Sequence, residues 1–504
     1  MARSIYLLFL LLISISAYGQ KEDYNWYFGA TGAGLNFDSC RVTTLTNGVL
    51  SSATFEGTTA ISDEQTGQLL FYTNGLNVYS HNHTLMQNGY QAALSTSITQ
   101  NIIVKKPGST STFYLFTADV QGGISSNPAF PTAIGINWAE IDMSLNGGLG
   151  SVVSKFNILK DTSNCEKLTA VRHANGQDIW LVGHEYGNNN FFVYQITSAG
   201  IDTIPQFFSL GPTIITPQQG IPAQSRYDAI GEMKASPDGS RIAFTSYYNG
   251  YTAVFDFDNT SGAITQPIEL KITGGGYGLT FSPDNNLLYL GRIDTNTTGG
   301  LPSTADLLQF DLRSGDSATI QNSVQSIYSC VNCGFSSMKI APNRKIIVSH
   351  YGTSGSFTGD PFLGVISKPD SIGIYATYAH FGISLNGQPS SWGLNNLMEN
   401  PNYCLTTDIE EFTALAAPFI VSPNPFTDVL HISGEIKEPV EITLRNTLSQ
   451  TLRKTSMRNS SASARLVSES QTTLQAGWGR GNLSSGRRSR SEERRVGKEC
   501  LRLC

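Results

Sequence analysis

The chain has 504 residues, 40% hydrophobic and only 14% charged, so it is long enough to bury more than one core. Residues 450–504 contain 12 basic and 4 acidic residues, which leaves 21 basic and 35 acidic residues elsewhere, a charge of −14. Such an acidic body argues against nucleic acid or an anionic membrane surface as the partner. Abundant Gly (49), Phe (25) and Tyr (21) favour turn-rich β structure over helices.

Residues 1–19 have the pattern of a secretory signal peptide. Arg3 supplies the positive charge, Ile5–Ile15 is almost unbroken apolar sequence, and Ala17–Gly19 is a small-x-small cleavage site. The apolar run is too short to span a bilayer, and no later segment reaches about 18 consecutive apolar residues. The sequence therefore predicts an exported protein with no transmembrane segment in the mature chain.

Gly231–Tyr248 reads as a strand, a tight turn and a second strand. In its turn, Ser236–Gly239, Pro sets φ near −65°, Asp can bond the following backbone, and Gly accepts a positive φ. The pattern of two apolar strands around such a turn occurs six times, in segments Thr58–Thr73, Asn101–Thr117, Lys167–Val182, Glu232–Ser246, Tyr277–Gly291 and Ser337–His350. A third apolar run often follows, and the spacing suits propeller blades of about 40–50 residues with insertions.

The repeats predict an all-β protein with a β-propeller over residues 20–407, seven blades being favoured and six or eight possible. In the seventh blade, Ser390–Leu394 would form the inner strand, with Asn25–Gly29 and Gly34–Phe37 as outer strands. Closing the ring from both termini removes exposed sheet edges. A stack of β-sandwiches fits less well, because those rarely repeat a hairpin signature at this period.

A second, smaller domain is predicted after the propeller. Residues 408–418 form a linker, and residues 419–452 contain short strands in Phe419–Ser433 and Val440–Leu448, as in an incomplete β-sandwich. Beyond about residue 452 Ser and Arg dominate, so residues 453–504 are predicted to be a disordered basic tail.

Two family resemblances follow from these segments. The SPDG-type hairpins resemble the propeller repeats of TolB-like proteins. The ordered series NWYFGATGAGLNF, EGTTAISDEQTGQLLFYTNG, YDAIGEMKASPDGSRIAF, LLQFDL, FLGVISKP and SLNGQPSSWGLNNL is similar to the propeller region of secreted, gliding-motility-associated proteins of Bacteroidetes-type bacteria. This likeness covers about residues 25–399 and implies a secreted or cell-surface propeller.

The second resemblance begins at SPNPF, the residues Ser422, Pro423, Asn424, Pro425 and Phe426. With the following strands it resembles the start of the C-terminal sorting domain read by the type IX secretion system, whose machinery would then be a partner. The likeness stops near residue 450. The final SEERRVGKEC resembles translated adaptor sequence, which indicates a frameshift or truncated assembly; the alternative is a genuine basic tail.

The chain lacks the common catalytic and nucleotide-binding motifs, including HExxH and GxSxG. Inner-strand positions near the channel mouth are the candidate binding residues, namely Glu56, Glu166, Lys167, Arg226, Tyr227, Asp228, Glu232, Lys234, Tyr277 and Lys339. Lys and Glu on inner strands more often form structural ion pairs. Paired carboxylates could also serve glycoside hydrolysis if they lie about 5–10 Å apart.

No cofactor or metal is predicted. His81 and His83 could form a metal pair, but loop histidines without a function are more common; His184 and His350 occupy equivalent repeat positions, which indicates a structural role between blades. Cys330-Val-Asn-Cys333 is a single CxxC, so a disulfide or free thiols are favoured over zinc. The sequence thus predicts a non-enzymatic binding or adhesion module with a glycan or protein ligand; the alternative is a secreted polysaccharide hydrolase or lyase.

Overall fold

The computed structural model divides the chain into two units, Met1–Thr406 and Thr407–Cys504. In the first unit it describes residues 21–29, 31–50, 56–90, 100–118, 135–161, 164–214, 227–294, 304–352, 359–399 and 403. In the second it describes six strands. The predicted signal peptide and linker, together with Arg226 and Pro423–Phe426, lie outside the described residues, so those predictions stay predictions.

The described part of the first unit contains seven antiparallel sheets, numbered here as blades in chain order. Blade 1 consists of Asn25–Phe28, Ala33–Asn36 and Thr43–Leu45, and blade 2 of Thr59–Ser62, Leu69–Thr73 and Val78–Ser80. Blade 3 consists of Asn101–Lys105, Thr112–Ala118, Ile136–Asp142 and Ser151–Lys160. Blade 4 consists of Asn164–Arg172, Ile179–Glu185, Asn190–Thr197, Gly200–Ile201 and Gln206–Ser209.

Blades 5, 6 and 7 each have four strands. Blade 5 consists of Met233–Ala235, Arg241–Phe244, Thr252–Asp258 and Ala263–Leu270. Blade 6 consists of Gly275–Phe281, Leu287–Ile293, Thr304–Asp311 and Gln325–Val331. Blade 7 consists of Gly334–Ile340, Ile346–Tyr351, Phe362–Ile366 and Tyr378–Ser384. Helix among these residues is limited to one α-helix, Ser317–Asn322, and short 3-10 turns, at Asp38–Cys40, Asn146–Gly148, 227–229 and Gly373–Ala376. No helix of the described chain is long and apolar enough to cross a membrane.

All six predicted hairpins are confirmed as the first two strands of blades 2 to 7. The turn of blade 5 shows why. The Ser236 hydroxyl donates to the Asp238 carboxylate at 2.6 Å, the Ser240 N–H donates to the same carboxylate at 3.0 Å, and Gly239 has φ +69°. Asp238 is therefore a turn former, as short polar side chains commonly are.

Seven hydrophobic clusters join each blade to the next and close the ring. For example, Tyr27 of blade 1 packs with Tyr72 of blade 2. At the closing interface, Trp26 and Phe28 of blade 1 pack with Ile347 of blade 7. The other five interfaces have clusters of the same kind. The structure is thus a seven-bladed propeller, which decides among the predicted six, seven and eight blades.

The prediction that Ser390–Leu394 forms an inner strand is wrong. No strand is assigned there, and residues 390–399, which we call the axial segment, run along the channel instead. Asn396 shows this placement. Its backbone N–H donates to the Thr58 carbonyl of blade 2, and its side-chain NH2 group donates to the Asn101 carbonyl of blade 3. Its side-chain oxygen accepts a hydrogen bond from Lys234 of blade 5. Contact with three separate blades is possible only near the propeller axis.

The axial segment has its own polarity within the channel. Trp392 stacks on Tyr351, which pairs with Gly334 at the start of the inner strand of blade 7. Glu399 instead lies beside Lys339, near the end of that strand. We call the end near Trp392, where inner strands begin, the upper end. The opposite end, where inner strands enter their hairpin turns, is the lower end.

The described residues of the second unit form two three-stranded sheets. One has the strands Phe419–Ser422, Val429–Gly434 and Ala462–Val467, and the other has Val440–Arg445, Thr451–Met457 and Cys500–Leu501. Strands therefore continue beyond residue 452, and the prediction of a wholly disordered tail from 453 is wrong for these residues. These strands form by main-chain hydrogen bonding to Val429–Gly434 and Val440–Arg445. Pairing of this kind can stabilise a strand whose apolar residues do not alternate strongly.

Candidate binding site at the upper end of the channel

Five aromatic rings converge at the upper end, and we call them the aromatic cluster: Tyr227, Tyr247, Tyr277, Tyr351 and Trp392. Trp392 is its centre, stacked on Tyr351 with centroids 4.4 Å apart and meeting Tyr277 edge-on at 5.3 Å. Tyr247 lies 6.1 Å from Trp392 and 6.4 Å from Tyr227. Tyr227 and Tyr247 are half-buried, so they are the rings that face solvent at this end.

The cluster lies beside the carboxyl group of Glu56, just before the first strand of blade 2, and Glu166 in the first strand of blade 4 acts on Glu56 electrostatically. Glu56 is 7% exposed and Glu166 1% exposed. Burial, reinforced by the charge of Glu166, raises the pKa of Glu56 to about 8, while a hydrogen bond from Tyr277 opposes the rise. Two carboxyls that share a site cannot both ionise readily, so Glu56 keeps its proton at neutral pH.

Lys167 and Asp228 hold the loop that carries Tyr227. The Lys167 ammonium is fully buried and donates to the carbonyls of Asp228, Ala229 and Ile230 at 2.8–3.1 Å. Burial lowers the pKa of Lys167. The Asp228 carboxylate accepts from the backbone N–H of Tyr248 and of Asn249. The two predicted candidates are thus supports that fix the edge of the site, with their polar atoms turned into the fold.

The remaining charged candidates lie deeper, inside the channel. Lys234 pairs with Glu232 at 3.6 Å and also donates to Asn396 of the axial segment. Lys339 is fully buried between Asp23 at 3.3 Å and Glu399 at 3.5 Å. Because Lys234 and Lys339 donate to Asn396 and Leu397 of the axial segment and are buried, they do not lie at the channel mouth.

The structure thus brings together four of the predicted site residues, Glu56, Glu166, Tyr227 and Tyr277. Sequence reasoning missed Tyr247, Tyr351 and Trp392. The first two lie at or just beyond the ends of second strands, which run antiparallel to the inner strands and so finish where those begin. Aromatic residues at these strand ends are a signal that could have identified them.

The predicted histidine and cysteine candidates have structural contacts. The His83 ring lies 3.2 Å from the Tyr72 hydroxyl, and the described residues include no group of three metal-ligating side chains. His184 of blade 4 packs against Phe244 of blade 5 at 5.2 Å, which confirms its role between blades. The contacts of His350, with Asp360 and His380, lie within blade 7. Cys330 and Cys333 form a disulfide, one of the alternatives that the sequence left open.

No protein-family model and no curated protein matches this chain. Solved structures similar to it include a protein from Lactobacillus plantarum, at 15% identity over 80% of this chain and 96% of that chain, with a TM-score of 0.35. The periplasmic gluconolactonase of Pseudomonas aeruginosa is 13% identical over 87% and 96%, with a TM-score of 0.37. A functionally unknown protein from Desulfotomaculum acetoxidans is 12% identical over 75% and 100%, with a TM-score of 0.38. At these identities and TM-scores the likenesses carry no argument about what this chain does.

Proposed function

We propose that this protein is a secreted or cell-surface binding module that takes a glycan or protein ligand at the upper end of the propeller channel. One observation carries the proposal: five aromatic rings converge at the upper end of the channel, beside the buried carboxyl group of Glu56. Tyr and Trp rings combine a large apolar face with a polar edge and dominate recognition surfaces. A few polar groups beside such rings can orient a ligand.

The enzyme alternative, a polysaccharide hydrolase or lyase, requires two carboxyls that face an open cleft with room for substrate and water. Glu56 and Glu166 are too deeply buried to meet that requirement. Binding at the solvent-facing rings, Tyr227 and Tyr247, needs no such access. The geometry therefore favours binding over turnover.

Arrays of glycans and surface proteins test the binding proposal with the purified full-length chain. We expect retention of at least one ligand class, reduced in the variant Tyr247→Leu and unchanged in Tyr375→Leu. The Tyr375 ring is 74% exposed and lies in the 3-10 turn between the third and fourth strands of blade 7. Equal ligand retention by the two variants would show that the aromatic cluster is not the binding site. Turnover of a retained glycan that is abolished by Glu166→Gln or Glu232→Gln would instead establish the enzyme.

Export is proposed to use the type IX secretion system, through the SPNPF segment and the strands that follow it. The test compares the full chain with deletions of residues 419–504 and of residues 453–504 in a host that has this system. We expect the longer deletion to abolish secretion into the medium or to the cell surface. Unchanged secretion after that deletion would contradict the assignment of a sorting domain.

A further inference from the structure

We infer that the lower end of the propeller carries a second binding site, for an uncharged acyl compound with an apolar chain and a carbonyl oxygen near one end. The site is a cleft of about 360 Å³ beside the hairpin turns of blades 2, 3 and 4, which we call the lower cleft. That volume lies within the range of small-molecule sites. The inference goes beyond the proposed function, because it concerns the opposite end of the channel and a different ligand.

The lower cleft reaches into the hydrophobic cluster between blades 2 and 3. Five side chains of that cluster also line the cleft, namely Ile61, Ile103, Phe113, Met143 and Leu397. Each of them is only 2–8% exposed, so the inner wall of the cleft is a continuation of the core. A hydrocarbon chain in the cleft would displace water from this apolar wall, which is favourable.

Charged residues border the lower cleft in equal numbers of each sign. Three are basic and three are acidic: Lys105, Lys106, Arg172, Glu22, Asp63 and Glu64. Arg172 donates to Glu22, and Lys105 pairs with Glu64 at 3.0 Å. Burial raises the pKa of Glu22 although Arg172 opposes the rise. The surroundings of Glu22 therefore do not favour a further negative charge.

The other two charged side chains also have contacts within the protein. The Asp63 carboxylate accepts from two backbone N–H groups of its own turn, at 2.7 and 3.1 Å. Lys106 contacts the Tyr114 hydroxyl of the second strand of blade 3. A ligand with a net charge of either sign would lose its water beside a side chain of like charge, so the cleft favours an uncharged ligand.

Arg172 provides the donor for the carbonyl oxygen. One end of its guanidinium group donates to Glu22, but its Nε–H is buried and has no hydrogen-bond partner among the described residues. A buried donor without a partner costs free energy, so such groups usually meet a water molecule or a ligand. A carbonyl oxygen can accept from this N–H group without adding a net charge to the cleft.

Other ligand classes fit the lower cleft less well. A hard metal ion needs six or more oxygen ligands, and the carboxylates here are already bonded to basic or backbone groups. A sugar needs a polar partner for most of its hydroxyl groups, which the apolar wall does not offer. A polyphosphate would be repelled by the three acidic side chains.

Isothermal titration of the full-length chain at pH 7 tests the inference with 2-octanone, octanoate and octylammonium, which have chains of similar length and differ in charge. We expect 2-octanone to bind about 10-fold more tightly than either ion, because the head group of an ion loses its water beside a like charge. No binding of 2-octanone, or binding of a charged probe that is as tight, would overturn the inference.

Two substitutions with matched controls locate the site. Leu70→Trp places a large ring in the cleft and should weaken 2-octanone binding about 10-fold or more, whereas Leu85→Trp, at an exposed position outside the cleft, should not. Arg172→Lys keeps the cation but removes the Nε donor, and it should weaken binding about 5-fold. Its control is Arg292→Lys, at another half-buried arginine in an ion pair. Full binding by either cleft variant would overturn the inference.

Hydrogen exchange separates this site from the one at the upper end. In the wild type, 2-octanone should slow amide exchange in the hairpin turns 106–111 and 173–178 and leave residues 245–250 unchanged. Protection of residues 245–250 alone would place 2-octanone at the aromatic cluster and overturn the inference. The proposed function would still stand if 2-octanone did not bind, because it is tested with array ligands and Tyr247→Leu.

Discussion

The buried cation Lys339 offers the sharpest test of how the axial segment is held. Its ammonium is 3.3 Å from Asp23, 3.5 Å from Glu399 and 3.3 Å from the Leu397 carbonyl. Replacing Lys339 by Met leaves two acidic side chains in the channel without their cation. Breaking a buried ion pair in this way costs about 3–5 kcal/mol. We therefore expect Lys339→Met to lower the free energy of unfolding by that amount at pH 8.

The loss should shrink in acid. Burial already raises the pKa of Asp23 to about 6, and Lys339 is the main group that opposes the rise. Without Lys339 the pKa of Asp23 rises further, so the folded variant binds a proton at pH 5 that the unfolded chain, with an ordinary Asp pKa near 4, does not bind. Proton uptake stabilises the folded variant by about 1.4 kcal/mol per pH unit below its own folded pKa. The wild type gains in the same way only below about pH 6, so the loss shrinks between the folded pKa values of the two proteins.

Urea unfolding followed by tryptophan fluorescence at pH 5 and pH 8 measures both effects. Lys345→Met, at an exposed lysine of the same hairpin, is the matched control and should change stability by less than about 0.5 kcal/mol. A loss below 1 kcal/mol at pH 8, or an equal loss at both pH values, would refute the assignment of Lys339 as the charge anchor of the axial segment.

Three further predictions concern the site and its supports. The pKa of Glu56 is about 8 in the folded state and about 4.5 in the unfolded chain, so between these pH values the folded state binds one more proton than the unfolded chain. The free energy of unfolding of the wild type should therefore fall as the pH rises from 5 to 8. Glu56→Gln should make the free energy of unfolding less dependent on pH in denaturation curves at pH 5, 7 and 9. An unchanged pH dependence would show that Glu56 does not have the raised pKa. At Gly393 an added Cβ would meet the Glu56 carbonyl oxygen at 1.6 Å, so Gly393→Ala should lower the free energy of unfolding by about 3 kcal/mol or more. The control Gly387→Ala should lower it by about 1–2 kcal/mol, because Gly387 has φ +84° but no atom near its added Cβ. The Cys330–Cys333 loop is short, so replacing both cysteines by serine should cost no more than about 2 kcal/mol in the same assay.

Local sequence was sufficient to predict the hairpins and hence the propeller. A turn such as Ser236–Gly239 stabilises its own geometry with side-chain bonds across two to five residues, so the pattern can be read without knowledge of the rest of the chain. The alternation of apolar and polar residues in the strands on both sides of each turn then indicated which side chains pack between neighbouring blades. The number of blades followed only from the closing interface of Trp26 and Ile347, which joins the two ends of the ring.

The candidate site was predicted in part, because its remaining members depend on non-local contacts. Inner-strand position identified Glu56 and Glu166. The sequence also placed Ser390–Leu394 on an inner strand, but no local pattern shows that the chain around Trp392 leaves the sheet and contacts several blades. That placement depends on Asn396, whose three partners come from blades 2, 3 and 5. Once the axial segment fills the channel, Lys234 and Lys339 become buried anchors, which inner-strand position alone cannot distinguish from ligand-binding groups.

Hydrogen exchange of the full-length chain, with and without its tightest array ligand, tests the central claim that ligands bind at the upper end of the channel. Amides at the ends of second strands and the starts of inner strands, such as those of residues 227–232, 245–250 and 275–278, should exchange more slowly in the complex. The hairpin turns at the lower end, residues 63–68, 106–111 and 173–178, should be unaffected. Protection confined to those turns would contradict the account.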